Sequence, residues 1–173
     1  MQPDEVLAHL AAPIPCTLFD DVYGQTKQER TWSPDIIEDH IVYHSKSQCP
    51  LIKLAEFGDR ASDTGNLRHD ANVLAISGVE ADYDEGEYPI ETAAAKLEDA
   101  GISAVLYTSA SHTPEKPRWR LLLPFRRRHK GTRAEMRAWR IAALRKAESI
   151  LGVQFASESE ALSQAYYMGV IRD

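Results

Sequence analysis

The alternation of apolar and polar positions divides the chain into a short series of elements. A short helix is predicted over Pro3–Leu10, and the apolar stretch Cys16–Asp20 reads as a first strand. A second helix is expected over Asp35–His44, with Ser33 as its cap and Pro34 at the first helical position, where a missing N–H is tolerated. Leu51–Phe57 is a further strand. Gly58–Asp70 is polar, holds two glycines and three aspartates, and is a loop. Val73–Tyr83, VLAISGVEADY, is apolar and branched enough for a central strand. Pro89–Ala100 is a helix with Ile90, Ala94 and Leu97 on one face and Gly101 ending it. Ala104–Thr108 and Trp119–Pro124 are two more strands separated by a loop. Thr132–Leu151 is the longest helix, its apolar stripe being Met136, Trp139, Ala143, Ala147 and Ile150, with Arg133, Arg137 and Arg140 on another stripe. A last strand covers Gln164–Val170.

From Val73 onward the order is β-α-β-β-α-β, which predicts an α+β fold: a helix-covered, mostly antiparallel sheet with a split βαβ, RRM-like core. Residues 1–57 form a small N-terminal αβ module and 58–173 the core of a single domain, read as part of a longer protein. The three tryptophans, Trp32, Trp119 and Trp139, are expected in the core, and Tyr166 and Tyr167 on alternate faces of the last strand.

A chain of 173 residues buries enough surface for a core without staples. The two cysteines, Cys16 and Cys49, lack CxxC spacing and read as reduced thiols. The N-terminus lacks the charge and apolar run of a signal peptide, and no stretch approaches the roughly 20 apolar residues of a membrane span. A cytoplasmic location away from membranes is the expectation.

Charge adds a feature that hydropathy does not show. The net charge is −6, yet Lys116–Lys146 carries twelve Lys or Arg and the single acid Glu135. Such a segment can hold a polyanion while the acidic remainder repels it, and Arg126, Arg127, Arg128, Lys130, Arg133 and Arg137 are the candidate nucleic-acid contacts. The alternative is a solvated face with no ligand.

In a strand, residues two apart point the same way, so Glu80, Asp82 and Asp84 line one face. Three carboxylates within about 14 Å repel one another, and hard divalent cations with oxygen ligands relieve that repulsion best. The alternative is a solvent-facing strand end running into the acidic turn Asp84-Glu85-Gly86-Glu87. The second constellation is YTSASHTPEKPRWRLLLPF, Tyr107–Phe125. There Arg118 and Arg120 share a strand face, and the guanidinium fork suits phosphate. Ser109, Ser111 and a neutral His112 can donate hydrogen bonds to the same anion, although a loop histidine is often merely exposed.

The segments NVLAISGVEADYDEG (Asn72–Gly86) and LYTSASHTPEKPRWRLLLP (Leu106–Pro124) resemble motifs I and II of the archaeo-eukaryotic primase superfamily, most closely the primase-polymerase domains of plasmids and bacteriophages. GNLRHDANV and LSQAYYMG are also similar to that branch, so the likeness runs from about Leu51 to Gly169. It implies that Asp82 and Asp84 bind two Mg²⁺ or Mn²⁺ ions and that His112 contacts the triphosphate of an incoming nucleotide. It implies template-directed nucleotidyl transfer on single-stranded DNA during plasmid or phage replication, with a helicase as a further partner. The family's third motif is another Asp near the last strand, where this chain has FASESEALSQ. Glu80 is the expected substitute, from the same strand face as Asp82, with Glu158 as second candidate. Two other readings use the same residues: a non-catalytic nucleic-acid-binding replication initiator, and a metal-dependent nuclease.

Overall fold

The computed structural model describes residues 13–38 and 45–168. The helix expected over Pro3–Leu10, most of that over Asp35–His44 and the end of the last strand lie outside the described residues. The elements are β1 (Pro15–Phe19), β2 (Lys27–Thr31), α1 (Asp35–Glu38), β3 (Leu51–Lys53), β4 (Ala55–Phe57), β5 (Val73–Tyr83), α2 (Ile90–Asp99), β6 (Val105–Thr108), β7 (Trp119–His129), α3 (Arg133–Leu151) and β8 (Tyr166–Tyr167). The fold is α+β, with two four-stranded sheets of order β2-β1-β3-β8 and β4-β5-β7-β6. Every pairing among the described strands is antiparallel.

Two sheets stand where one main sheet with an appended module is expected. The run Leu51–Phe57 changes sheet at Leu54, so that β3 pairs β1 while β4 pairs β5. The last strand does not join the sheet of β5. Tyr166 and Tyr167 pair with Ile52 and Leu51 of β3, and β4 occupies the edge beside β5. Strand β5 keeps the predicted bounds because its run is apolar on both faces apart from a few polar positions, with ten of the eleven residues largely enclosed.

Val79, Ala81 and Tyr83 of β5 pack with Trp119 and Leu121 of β7 against Ala93 and Leu97 of α2 and Leu144, Ala147 and Leu151 of α3. The opposite face contributes Leu122, which packs with Cys16, Ile52 and Leu54 of the first sheet and with Met168. The second sheet is thus covered by helices on one side and by the first sheet on the other.

Helix α3 begins with a capping box, the Thr132 hydroxyl accepting from Glu135 N while the Glu135 carboxylate takes the Thr132 N–H. It ends at Gly152, whose φ of 75° is the left-handed conformation that glycine adopts without strain. Its inward face is Met136, Arg140, Leu144, Ala147 and Leu151. This corrects the expected stripe, of which Met136 and Ala147 are buried: Trp139 is 38% exposed, Ala143 and Ile150 are half-buried, and Arg140, Leu144 and Leu151 are buried instead. Trp119 is the buried tryptophan of the three, and Trp32 is partly enclosed.

Strand β7 runs five residues beyond the expected end at Pro124. The six residues Pro124 to His129 oppose only Ile76 to Gly78, so Arg126, Arg127 and Arg128 sit in a wide bulge. Gly78 makes this possible, since a Cβ there would come within 2.6 Å of Leu123 O and collide with Leu54. No described helix is long and apolar enough to cross a membrane.

Candidate active site

The strand pairing sets charged residues in register. Asp82 on β5 lies opposite Arg120 on β7, and Arg120 lies opposite Tyr107 on β6, so the three form a row across the sheet. Arg120 Nε donates to Asp82 Oδ1 at 3.1 Å, and its Nη1 donates to Tyr167 O at 3.0 Å. The rings of Tyr107, Tyr166 and Tyr167 surround the guanidinium, with centroids 6.0, 5.4 and 5.7 Å from it. Burial raises the Tyr107 phenol far above its ordinary value, so it stays a neutral donor to Tyr167 O. Strand β8 therefore joins the site through its backbone and rings.

One step earlier on the same face, Glu80 is fully buried. Lys53 Nζ and Arg140 Nη1 donate to its Oε2 at 2.5 and 2.8 Å, and Leu54 N donates to Oε1. Burial alone would raise the Glu80 carboxyl, but Lys53 and Arg140 outweigh it and hold the group below its ordinary range. Burial and the neighbouring Arg140 push the Lys53 ammonium down to about 7, against the pull of Glu80. Both Glu80 oxygens are thus committed to protein donors. A metal ion could reach Glu80 only by displacing Lys53 or Arg140 from a dry site, so the third-ligand role expected of Glu80 has no support in this geometry.

The second candidate, Glu158, is placed differently. It lies on the short 3₁₀ turn Ser157–Glu160, and this turn docks against the strand beside Asp82. Ala156 N donates to Asp82 O at 2.9 Å, and Asp82 N donates to Ser159 Oγ at 3.2 Å. Arg140 fastens the turn from beneath, its Nε donating to Ser159 O at 2.7 Å and its Nη2 to Glu80 O at 2.9 Å. Glu158 is exposed and close enough for its charge to act on Asp82. The Asp82 carboxyl is raised, first by burial and then by Asp84 and Glu158, with Arg120 opposing.

At the same end of the sheet, Tyr83 and Thr108 both pair with Trp119, so Asp84 and the β6–β7 loop leave the sheet side by side. A Cβ on Gly86 would touch the Lys116 side chain, which shows how closely the acidic turn and that loop approach. Within the loop, Arg118 N donates to His112 Nδ1 at 3.1 Å. In the neutral ring this leaves the proton on Nε2 as an outward donor. Arg118 Nη1 donates to Ser111 Oγ at 3.2 Å, Ser111 and Ser109 hydroxyls are 3.3 Å apart, and the enclosed Arg118 Nε has no partner among the described residues.

The structure therefore gathers Asp82, Asp84, Arg120, His112, Arg118, Ser109 and Ser111 at one end of the second sheet, with Glu158 added. Arg126, Arg127, Arg128, Lys130, Arg133 and Arg137 are all exposed and lie toward the other end of β7 and along α3. Sequence reasoning missed Tyr107, Ser159, Lys53 and Arg140; the one signal for the last two was a carboxylate, Glu80, in an otherwise apolar strand.

Among the described residues, no three His, Cys, Asp or Glu side chains are already gathered at metal-binding distance. The donor set nonetheless suits a hard cation. Asp82 Oδ2 has no hydrogen-bond partner among the described residues, its carboxyl is half-enclosed, and Asp84 and Glu158 repel it. No protein-family model, curated protein or solved structure matches this chain.

Proposed function

We propose that this chain is a metal-dependent nucleotidyltransferase of the primase-polymerase kind, adding nucleotides to a strand on a single-stranded DNA template. On this reading β5, α2 and β6, with β7 inserted between the two strands, are the split βαβ of an RRM-like core. The observation that carries the proposal is the meeting of two charge types at one sheet end. Asp82 and Asp84 stand at the end where the β6–β7 loop presents His112, Arg118 and two hydroxyls, with Glu158 on the turn docked beside Asp82.

Asp82, Asp84 and Glu158 would hold the Mg²⁺ or Mn²⁺ ions, which when bound lower the cost of ionising an attacking hydroxyl and screen phosphate charge. His112 donates through Nε2 to a phosphate oxygen, its ring held by the Arg118 N–H. Arg118 offers its unpartnered Nε and remaining guanidinium donors to the same triphosphate. Arg120, held in its tyrosine cage, keeps Asp82 Oδ1 fixed and turns Oδ2 outward. These are positioning and electrostatic contributions, which dominate phosphoryl transfer.

Arg120 also favours the second reading, a nucleic-acid-binding initiator without activity, because it occupies one oxygen of Asp82. Incorporation of labelled nucleotide on a single-stranded template with Mg²⁺ or Mn²⁺ separates the two. Activity in the wild type, abolished by Asp82→Ala and by Asp84→Ala at a temperature where both variants remain folded, is the expected result. Template binding by the wild type without incorporation would establish the initiator reading instead.

A further inference from the structure

The arginine run of β7 gains companions that its sequence neighbours do not reveal. The bulge at Arg126–Arg128 turns these side chains toward the start of β1 and the end of β2. A groove of about 490 Å³ results, with Pro13, Ile14 and Pro15 on its floor and Arg30, Arg127 and Arg128 along its sides. A second groove of about 400 Å³ adjoins it at Ile14 and continues past Leu123, Pro124, Phe125 and Arg126. Arg30 comes from β2 in the first sheet and Arg127 from β7 in the second, 97 positions apart in the chain.

Charge in the two grooves is one-sided. Among the described residues, no carboxylate lines either of them. Arg128 gives one N–H to Glu56 at 2.7 Å, and Arg30 gives one to Gln28 at 2.6 Å. Arg126 and Arg127 form no ion pair among the described residues. On a chain of net charge −6, four arginines along an apolar trough are a local exception. Basic sides with an apolar floor match the backbone and the ring faces of an unpaired strand. A duplex, with its bases stacked inward, would leave Ile14, Pro15 and Phe125 without a partner.

We propose that this double groove is a track for single-stranded nucleic acid, with phosphates on Arg30, Arg126, Arg127 and Arg128 and sugars and bases on the Pro13–Pro15 and Leu123–Phe125 floor. The track lies toward the opposite end of β7 from the acidic site and rests on the nucleotidyl-transfer reading for the kind of strand it holds, and Arg30 is the residue that only the fold assigns to it.

Fluorescence anisotropy of a labelled oligothymidylate, titrated with NaCl and without nucleotide or divalent ion, tests the track on the whole chain. Arg30→Gln and Arg127→Gln should each flatten the slope of log K against log salt by about 0.7, the value for one lost phosphate contact on a single strand. Arg60→Gln removes an exposed arginine that lines neither groove and should leave the slope unchanged. All three replace exposed side chains, so their melting temperatures should match the wild type. A wild-type slope in Arg30→Gln, or no oligothymidylate binding at all, would overturn the track. Stronger competition by a duplex of the same length would overturn its single-strand character. Salt-sensitive binding that depends on Arg30, in a chain that incorporates no nucleotide, would defeat the catalytic reading and leave the track standing.

Discussion

Glu80→Gln is the perturbation whose outcome the geometry constrains most tightly. Glu80 is the one anion between two fully buried cations, Lys53 and Arg140. The amide preserves shape but removes the charge that both of them require. Breaking a buried ion pair from one side costs about 3–5 kcal/mol, because the abandoned charge remains in a low-dielectric interior. Here two charges are abandoned, but Lys53, already pushed down to about 7, can shed its proton and limit the loss. The expected destabilisation is therefore near the lower end, about 3 kcal/mol, out of a total of roughly 5–15.

With a urea slope of about 2 kcal/mol per molar, the unfolding midpoint should fall by about 1.5 M. The assay is equilibrium unfolding in EDTA, which removes any contribution of bound metal. A carboxylate whose role is to bind metal would show no loss under those conditions, or a small gain from relieved repulsion. Adding Lys53→Met to Glu80→Gln removes the second orphaned cation and should recover part of the loss. A Glu80→Gln midpoint indistinguishable from wild type in EDTA would refute the account of Glu80 as the anchor of a buried ion triad.

The same triad sets a pH dependence. The Glu80 carboxyl is held below 4.5, so its stabilising contribution is complete above that value and is lost as pH falls through the lower, folded-state value. The stability gap between wild type and Glu80→Gln, followed by urea unfolding, should accordingly shrink as pH drops below 4.5; a constant gap would contradict the ion pairing. For the site itself, Glu158→Gln should lower metal-dependent incorporation about tenfold, equivalent to about 1.4 kcal/mol, while leaving stability in EDTA unchanged. Full activity in Glu158→Gln would leave Asp82 and Asp84 as the protein ligands.

Local patterns made much of the fold legible. The apolar run of β5 and the helical periodicity of Thr132–Leu151 are signals carried within a few residues, and both elements appear where the pattern puts them. Arg140 was illegible for the opposite reason. A cation on a helix reads as solvent-facing, and the carboxylate that draws it inward lies 60 positions away. Once Arg140 turns inward, the apolar stripe shifts with it and Trp139 is left outside. The sheet that β8 joins is not legible in the sequence, because a two-residue pairing with Leu51 and Ile52 has no local signature. The bulge of β7 has no signature in the sequence, because its arginines interrupt the apolar alternation while the backbone continues as strand.

One feature of the strand edge accounts for both the misplaced β8 and the position of Glu158. Strand β4 pairs with β5 as far as Ile76, and Leu54 O accepts Ser77 N just beyond. Past that point the polar groups on the outer edge of β5 are satisfied by other means. Arg140 covers Glu80 O, while Ala156 N and Ser159 Oγ take Asp82 O and N. A side chain and a 3₁₀ turn thus stand where a further strand would have paired, which leaves β8 free to close the first sheet around Arg120. A turn presents its side chains from farther outside the sheet than a strand does. On the proposed reading, an acid offered from that turn needs the extra methylene of Glu to reach a cation held by Asp82. Arg140 fixes that turn in place by bonding both Ser159 O and Glu80.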